Sequence, residues 1–214
     1  MILKKDLPSA TLKAQRQKNQ ATAKTQRQKD KAPRKHKNPT RQPDKGLVMV
    51  YTGDGKGKTT SAMGTALRAL GYGMRVAVIQ FIKGTWPSGE EKAFKKFPGC
   101  SFFQMGEGFT WDTKNFERDK TKANEGWNLA KKFILDSKTN LVVLDEINCC
   151  LEYGFLDLKE MLVVLKAKPK MKHVLLTGRG APKKLIQFAD LVTEMKCVKH
   201  PYQRGIWAQR GIDY

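Results

Sequence analysis

The chain has 214 residues, room for one domain with a full core and a terminal appendage, and its 41 Lys and Arg against 20 Asp and Glu give a formal net charge of +21. No apolar run is long enough to span a bilayer and the first residues lack a signal-peptide core, so a soluble, cytoplasmic protein with no membrane partner is expected. Cys100, Cys149, Cys150 and Cys197 have neither the C-x-x-C spacing of a zinc site nor the density of a disulfide scaffold, which makes buried reduced thiols the expectation.

The charge is unevenly spread. Residues 1–45 hold 14 basic and 3 acidic side chains, leaving 27 and 17 in the other 169. This first segment is Lys, Gln, Thr and Ala with Pro8, Pro33, Pro39 and Pro43 and almost no large apolar residue after Leu12, so it cannot bury enough surface to offset its own ordering. Ser9 is placed to cap a conditional helix from Ala10 to Lys31. The expected organisation is a basic, largely disordered tail over 1–45 and one folded domain over 46–214. A targeting role for the tail fits poorly, because it is rich in lysine rather than in arginine and serine. The net charge alone points to an anionic partner such as nucleic acid, yet a moderately basic body equally suits a protein that binds a triphosphate.

Next comes an apolar run, Leu47 to Tyr51, then Gly53-Asp54-Gly55-Lys56-Gly57-Lys58-Thr59-Thr60, then a predicted helix from Thr59 to Leu70. Strand, glycine loop and helix in that order make a phosphate cradle. The glycines let backbone N–H groups turn inward, the helix adds its positive N-terminus, and Lys58 and Thr59 stand where a phosphate-binding lysine and a magnesium-binding hydroxyl are needed. The loop is one residue shorter than the usual G-x-x-x-x-G-K-[ST], since only Asp54, Gly55 and Lys56 separate Gly53 from Gly57, and it carries an additional lysine. A tighter loop holds phosphates differently, so a nucleoside triphosphate site is expected without ordinary hydrolysis being implied.

Further along, Arg75–Ile82, Ser101–Met105, Asn140–Asp145, His173–Thr177 and Leu191–Met195 read as strands. Glu90–Phe97, Phe116–Leu135, Leu158–Lys166 and Pro182–Phe188 read as the helices between them. Strands this apolar, separated by helices, predict an α/β fold of the P-loop NTPase-like kind: a mostly parallel sheet with helices on both faces. Ligands in such sheets bind beyond the carboxyl ends of the strands, where the glycine loop already lies.

Four other stretches end strands and carry chemistry. Asp145 and Glu146 follow Leu141-Val142-Val143-Leu144, so a carboxylate emerges where it can reach magnesium near Thr59; a helix-capping acid is the plainer reading, and spacing does not say which of the two would meet a metal. Lys83-Gly84-Thr85-Trp86-Pro87-Ser88-Gly89-Glu90 reads equally as a functional or an ordinary loop. In Gly106-Glu107-Gly108-Phe109-Thr110-Trp111, two aromatics flanked by glycines are costly to leave in water unless they cover something flat and apolar or fill the core. Arg179, in Thr177-Gly178-Arg179-Gly180, is suited to a phosphate or to an ion pair. The closing stretch from Lys199 to Tyr214 is aromatic and glycine-punctuated, and is expected to fold back over the sheet.

Taken together and in order, GDGKGKTTSA, VIQFIKGTWPSGE, GFTW, LVVLDEIN, EYGFLDL, LTGRG, ADLVTEM and KHPYQRGIWAQRGIDY resemble the bacterial and archaeal ATP:corrinoid adenosyltransferases over roughly Leu47 to Tyr214. The resemblance implies transfer of the 5′-deoxyadenosyl group of ATP to the cobalt of a reduced corrinoid, cob(I)alamin or cob(I)yrinic acid a,c-diamide, with triphosphate released, in adenosylcobalamin biosynthesis or salvage. It implies a nucleotide bound in the reversed sense by the short loop, with Gly53 to Thr60, Arg68 and Arg179 around it and magnesium on Thr59 and the Asp145/Glu146 pair. Phe109 and Trp111 become an apolar wedge against the lower corrin face, a flavoprotein or other reductant supplies the electron for cob(II), and a homodimer is implied. A cob(I) nucleophile needs no general base, and none stands out among His36, His173 and His200. Two other classes stay open: a P-loop ATPase acting on nucleic acid, and a corrinoid carrier that consumes no ATP.

Overall fold

The apolar runs become six strands of four or five residues: β1 (Val48–Thr52), β2 (Val76–Gln80), β3 (Cys100–Gln104), β4 (Leu141–Asp145), β5 (His173–Thr177) and β6 (Leu191–Glu194). They form one sheet in the order β3-β2-β4-β5-β1-β6, and every neighbouring pair is parallel, which is the α/β architecture expected from the sequence. The computed structural model describes residues 44–82, 88–106 and 116–213, and Asp44–Tyr214 is one compact unit. Between the strands run α1 (Lys58–Gly71), α2 (Gly89–Phe94), α3 (Phe116–Leu135), α4 (Ile147–Glu152), α5 (Leu158–Ala167) and α6 (Lys183–Phe188).

Although the strands read as unbroken apolar runs, successive side chains leave on opposite faces. Val48, Val50, Ile79, Val142, Leu144, Val174 and Leu176 form one core with Ala123, Trp127 and Ile134 of α3, Met161 and Leu165 of α5, and Leu185 of α6. Met49, Val76, Val78, Leu141, Val143 and Leu175 face the other side, where α1 packs through Ala62, Met63 and Ala66. The small residues on α1 bring its axis close to the sheet, which holds the helix N-terminus at the carboxyl end of β1. Each fully buried Val, Leu or Ile contributes about 1.5–3 kcal/mol, so both layers are needed to keep the rim rigid.

Strand and helix positions follow the sequence reading to within one or two residues at most ends, and α3 has the predicted bounds. Phe81 and Ile82, read as the end of β2, leave the strand and are buried beyond it. Two elements correct that reading. Ile147–Glu152 is a helix, and Pro201–Arg204 is a turn of 3-10 helix, where neither was expected. The closing stretch, expected to fold back over the sheet, meets the glycine loop through an ion pair between Asp213 and Lys56, while Trp207 (78 % exposed) faces solvent. Of the cysteines only Cys150 is fully buried, and Cys197 is exposed.

At the opposite, amino-terminal edge of the sheet the chain enters through Lys45, which pairs with Asp190, and Gly46, whose N–H donates to Lys170 O at 2.7 Å. The N–H of Leu47 donates to His173 Nδ1 at 3.1 Å, which requires the unprotonated ring nitrogen. Burial, and then the nearby Lys168 ammonium, lower the pKa of His173 below 6.5. The unfolded chain therefore takes up a proton at this site before the folded one does, so stability should fall as pH drops below about 6.5 toward the folded value and be unaffected by this group above it. The carboxylates of Asp136 and Asp190, depressed below 3.8 despite burial that opposes the shift, act in a separate and more acidic window. Urea midpoints between pH 7.5 and pH 5 should decline in the native protein and flatten in His173→Gln, whose amide oxygen accepts the same N–H without titrating; parallel slopes would reject the assignment.

Candidate active site

In a parallel sheet all carboxyl ends share one edge, so the loops after β2, β4, β5 and β1, four consecutive strands, gather there. The glycine loop is shaped first by its neighbour. A Cβ on Gly55 would lie 2.7 Å from the backbone of Lys196, one on Gly53 would collide with Met195 O, and the Gly55 N–H donates to Met195 O at 2.7 Å. These two glycines therefore let the loop stack on the chain leaving β6. Gly57 lines the cleft instead: at φ +109° it is the left-handed N-cap of α1, which has no side-chain cap and no acid in its first turn. The N–H groups at that end have no acceptor within the helix and open onto a cleft of about 820 Å³ lined by residues 54–60, a volume in the range of small-ligand pockets.

Lys58 is buried in the floor of the cleft, its Nζ donating to Gly53 O at 2.7 Å and Gly55 O at 2.8 Å. Burial lowers its pKa, partly offset by the Glu146 carboxylate and reinforced by the Arg179 guanidinium. The Thr59 hydroxyl donates to Asp145 Oδ1 at 2.9 Å. Asp145 is wholly buried and does not line the cleft; its Oδ1 also accepts from the Thr177 hydroxyl at 2.7 Å and its Oδ2 from Gln80 Nε2 at 2.8 Å. Glu146 does line the cleft, turned toward it by a left-handed backbone at φ +62°, the single positive φ outside glycine among the described residues. Its N–H donates to Thr177 Oγ1 at 2.9 Å, and the Cys149 thiol donates to its Oε2 at 3.1 Å. Burial and that carboxylate push the Cys149 pKa up to about 12, which keeps it a thiol. Arg179, exposed on the loop after β5, completes the rim.

Residues 44–214 match the family model of ATP:corrinoid adenosyltransferase BtuR/CobO/CobP. The chain belongs to this family. A corrinoid adenosyltransferase of Pseudomonas aeruginosa is 48 % identical over 172 residues, 80 % of this chain and 85 % of the relative. That of Sinorhizobium sp is 47 % identical over 178 residues, covering 82 % and 83 %, and that of Escherichia coli K12 is 45 % identical over 173 residues, covering 81 % and 88 %. The protein is thus an enzyme of the corrinoid adenosyltransferase type.

In this adenosyltransferase the cleft brings together Asp54 to Thr60, Gly89, Glu90, Glu146 and Arg179 from the residues singled out in the sequence. Gly53 contributes its carbonyl to Lys58 from behind. Arg68 is not on the lining: it stands exposed in the last turn of α1, ten residues along a helix that rises about 1.5 Å per residue. Ser88 caps α2 by accepting the Glu91 N–H at 3.1 Å, which accounts for its hydroxyl without a ligand. Lys83 to Pro87, Phe109 and Trp111 lie outside the described residues. The lining adds Glu152, Tyr153 and Asp213, which sequence reading passed over; only the aromatic tail carried a signal for the last of them. Gln80 and Thr177 were also missed, although a lone polar residue ending an apolar strand marks each.

Proposed function

We propose that this adenosyltransferase transfers the 5′-deoxyadenosyl group of ATP to the cobalt of a reduced corrinoid, cob(I)alamin or cob(I)yrinic acid a,c-diamide, and releases inorganic triphosphate. The observation that carries the reading is the shortened glycine loop, whose buried Lys58 and uncapped helix end form one wall of a cleft large enough for a nucleotide. The cobalt electron pair forms the Co–C5′ bond as the C5′–O bond breaks, and the leaving electrons go to the triphosphate oxygen. No proton moves, so no base is required; His173 lies at the far edge of the sheet. The protein's tasks are alignment and neutralising charge on the departing triphosphate. Lys58, Lys56, Arg179 and the first-turn amides of α1 would supply that neutralisation.

The donor set also fits magnesium, a hard cation that takes few protein ligands when phosphates are present. Thr59 has its only proton committed to Asp145, which leaves its oxygen an acceptor toward the cleft, and Glu146 offers a carboxylate on the same wall. Magnesium bound there would place positive charge beside the phosphates. Asp145 would act through Thr59, and Glu146 directly or through water.

The remaining parts of the reading rest on family likeness: Phe109 and Trp111 as a wedge that strips an axial ligand from cob(II), a flavoprotein or similar reductant, a cytoplasmic homodimer, and a role in adenosylcobalamin biosynthesis or salvage. Residues 1–45 are proposed as an appendage to the 46–214 domain, serving as a lid, an anion-binding tether or a targeting segment. One experiment tests the reaction. Incubation with ATP and chemically reduced corrinoid should yield triphosphate and a light-sensitive Co–C product in equal amounts. ADP with phosphate, stimulated by DNA or RNA, would favour the nucleic-acid ATPase instead, and no product would favour a carrier.

A further inference from the structure

We infer that Gln80 is a positioning residue for the nucleotide site, acting through Asp145 on Thr59; the inference rests on the nucleotide reading above and extends it to residues outside the cleft. β2 is Val-Ala-Val-Ile-Gln, and Gln80 is fully buried at its end. A buried amide costs stability unless it is bonded on both sides. The sheet register supplies both partners, placing Gln80 directly opposite Asp145 on β4 and opposite Gln104 on β3. Gln80 Nε2 donates to Asp145 Oδ2 at 2.8 Å, and Gln80 Oε1 accepts from Gln104 Nε2 at 3.3 Å. Thr177, also fully buried, closes the row from β5 by donating to Asp145 Oδ1 at 2.7 Å while accepting the Glu146 N–H at 2.9 Å.

A polar row thus crosses four adjacent strands, Gln104-Gln80-Asp145-Thr177, under the floor of the cleft. Its chemistry is directional. Each amide and hydroxyl spends a donor toward Asp145, so both carboxylate oxygens are acceptors with fixed roles, and Oδ1 is held where it takes the Thr59 proton. That bond decides which atoms of Thr59 remain for a cation or a phosphate. Loss of the Gln80 donor removes one of the bonds that orient the carboxylate, which loosens the hold of Oδ1 on the Thr59 proton, so Thr59 can turn that proton toward the cleft and weaken as a cation ligand.

The test measures ATP binding by calorimetry on the full chain, with magnesium and with EDTA, for the native protein, Gln80→Leu, Gln80→Glu and Gln104→Leu. Gln80→Leu should weaken binding about tenfold with magnesium and change it by less than about twofold in EDTA. Gln104→Leu, one bond further from Asp145, should lose about threefold, again with magnesium only. Gln80→Glu keeps the shape of the side chain but sets a carboxyl against Asp145 in place of the amide donor, so it should lose as much as Gln80→Leu, again with magnesium only. If Gln80→Leu does not fold, the other two variants decide. Equal losses with and without magnesium, no loss, or a native ATP affinity that ignores magnesium would each overturn the inference. Failure of the native protein to release triphosphate would sink the proposed reaction while leaving these binding ratios readable.

Discussion

Lys58→Met should lower the rate of adenosyl transfer by about two to three orders of magnitude, the range seen when a preorganised charge or donor is removed from a developing anion. Methionine keeps most of the apolar stem and removes the ammonium, its charge and its donors together. In the structure Nζ bridges Gly53 O and Gly55 O, so the ammonium is held in place before any phosphate arrives, and the substitution isolates that preorganisation. Two loop carbonyls lose a donor, which should cost about 1–3 kcal/mol of stability and be visible as a lower unfolding midpoint. Lys58→Arg should fare little better, because a planar fork cannot reproduce a point charge seated between two carbonyls. Burial lowers the pKa of Lys58 from the usual 10.5, so kcat/KM for ATP should decline on the alkaline side at a pH below that value as the ammonium deprotonates. The checking measurement is triphosphate release with chemically reduced corrinoid. A folded Lys58→Met protein that releases triphosphate at the native rate would remove the lysine from the mechanism.

The glycine loop shows how far sequence reasoning reaches. Strand, loop and helix were legible because glycine spacing and apolar runs are local properties, and the parallel sheet followed from the length and apolarity of those runs. What glycine was for at each position was not local. Gly53 and Gly55 read as phosphate-cradling residues, yet both are required by the passing backbone of Met195 and Lys196, which lies about 140 residues further on and leaves no trace near the loop itself. Asp145 and Glu146 were legible as a pair at a strand end, but a left-handed turn at Glu146 sends the second carboxylate into the cleft while the first stays beneath it, and spacing does not encode that turn. Helix α4 was lost because it is only six residues long and its start carries no capping signal, neither a side-chain cap nor an acid in the first turn. Arg68 came from family likeness alone, and within one chain it stands a helix length from the cleft.

Replacing Phe109 and Trp111 together by alanine should slow adenosylation about a hundredfold when cob(II) and a reductant are supplied, and far less when the corrinoid is provided already as cob(I). The two arms differ in one step, the entry of an electron into a cobalt orbital that an axial ligand raises in energy. Bulky apolar side chains against that face exclude the ligand and make the electron easier to accept; for a one-electron couple each 59 mV is a factor of ten, so loss of about 120 mV corresponds to the hundredfold effect. Gly106, just beyond β3, adjoins Phe81, Ile82 and Phe155; Ile82 also lines the cleft, and Phe116 at the start of α3 meets Phe155 edge-on at 4.8 Å. ATP affinity should change little, because the proposed phosphate-binding groups come from the glycine loop, from Glu146 just after β4 and from Arg179 in the loop after β5. Equal slowing of both arms would recast the aromatics as general corrinoid contacts, and native cob(II) turnover in the double variant would leave activation of the metal to some other part of the protein.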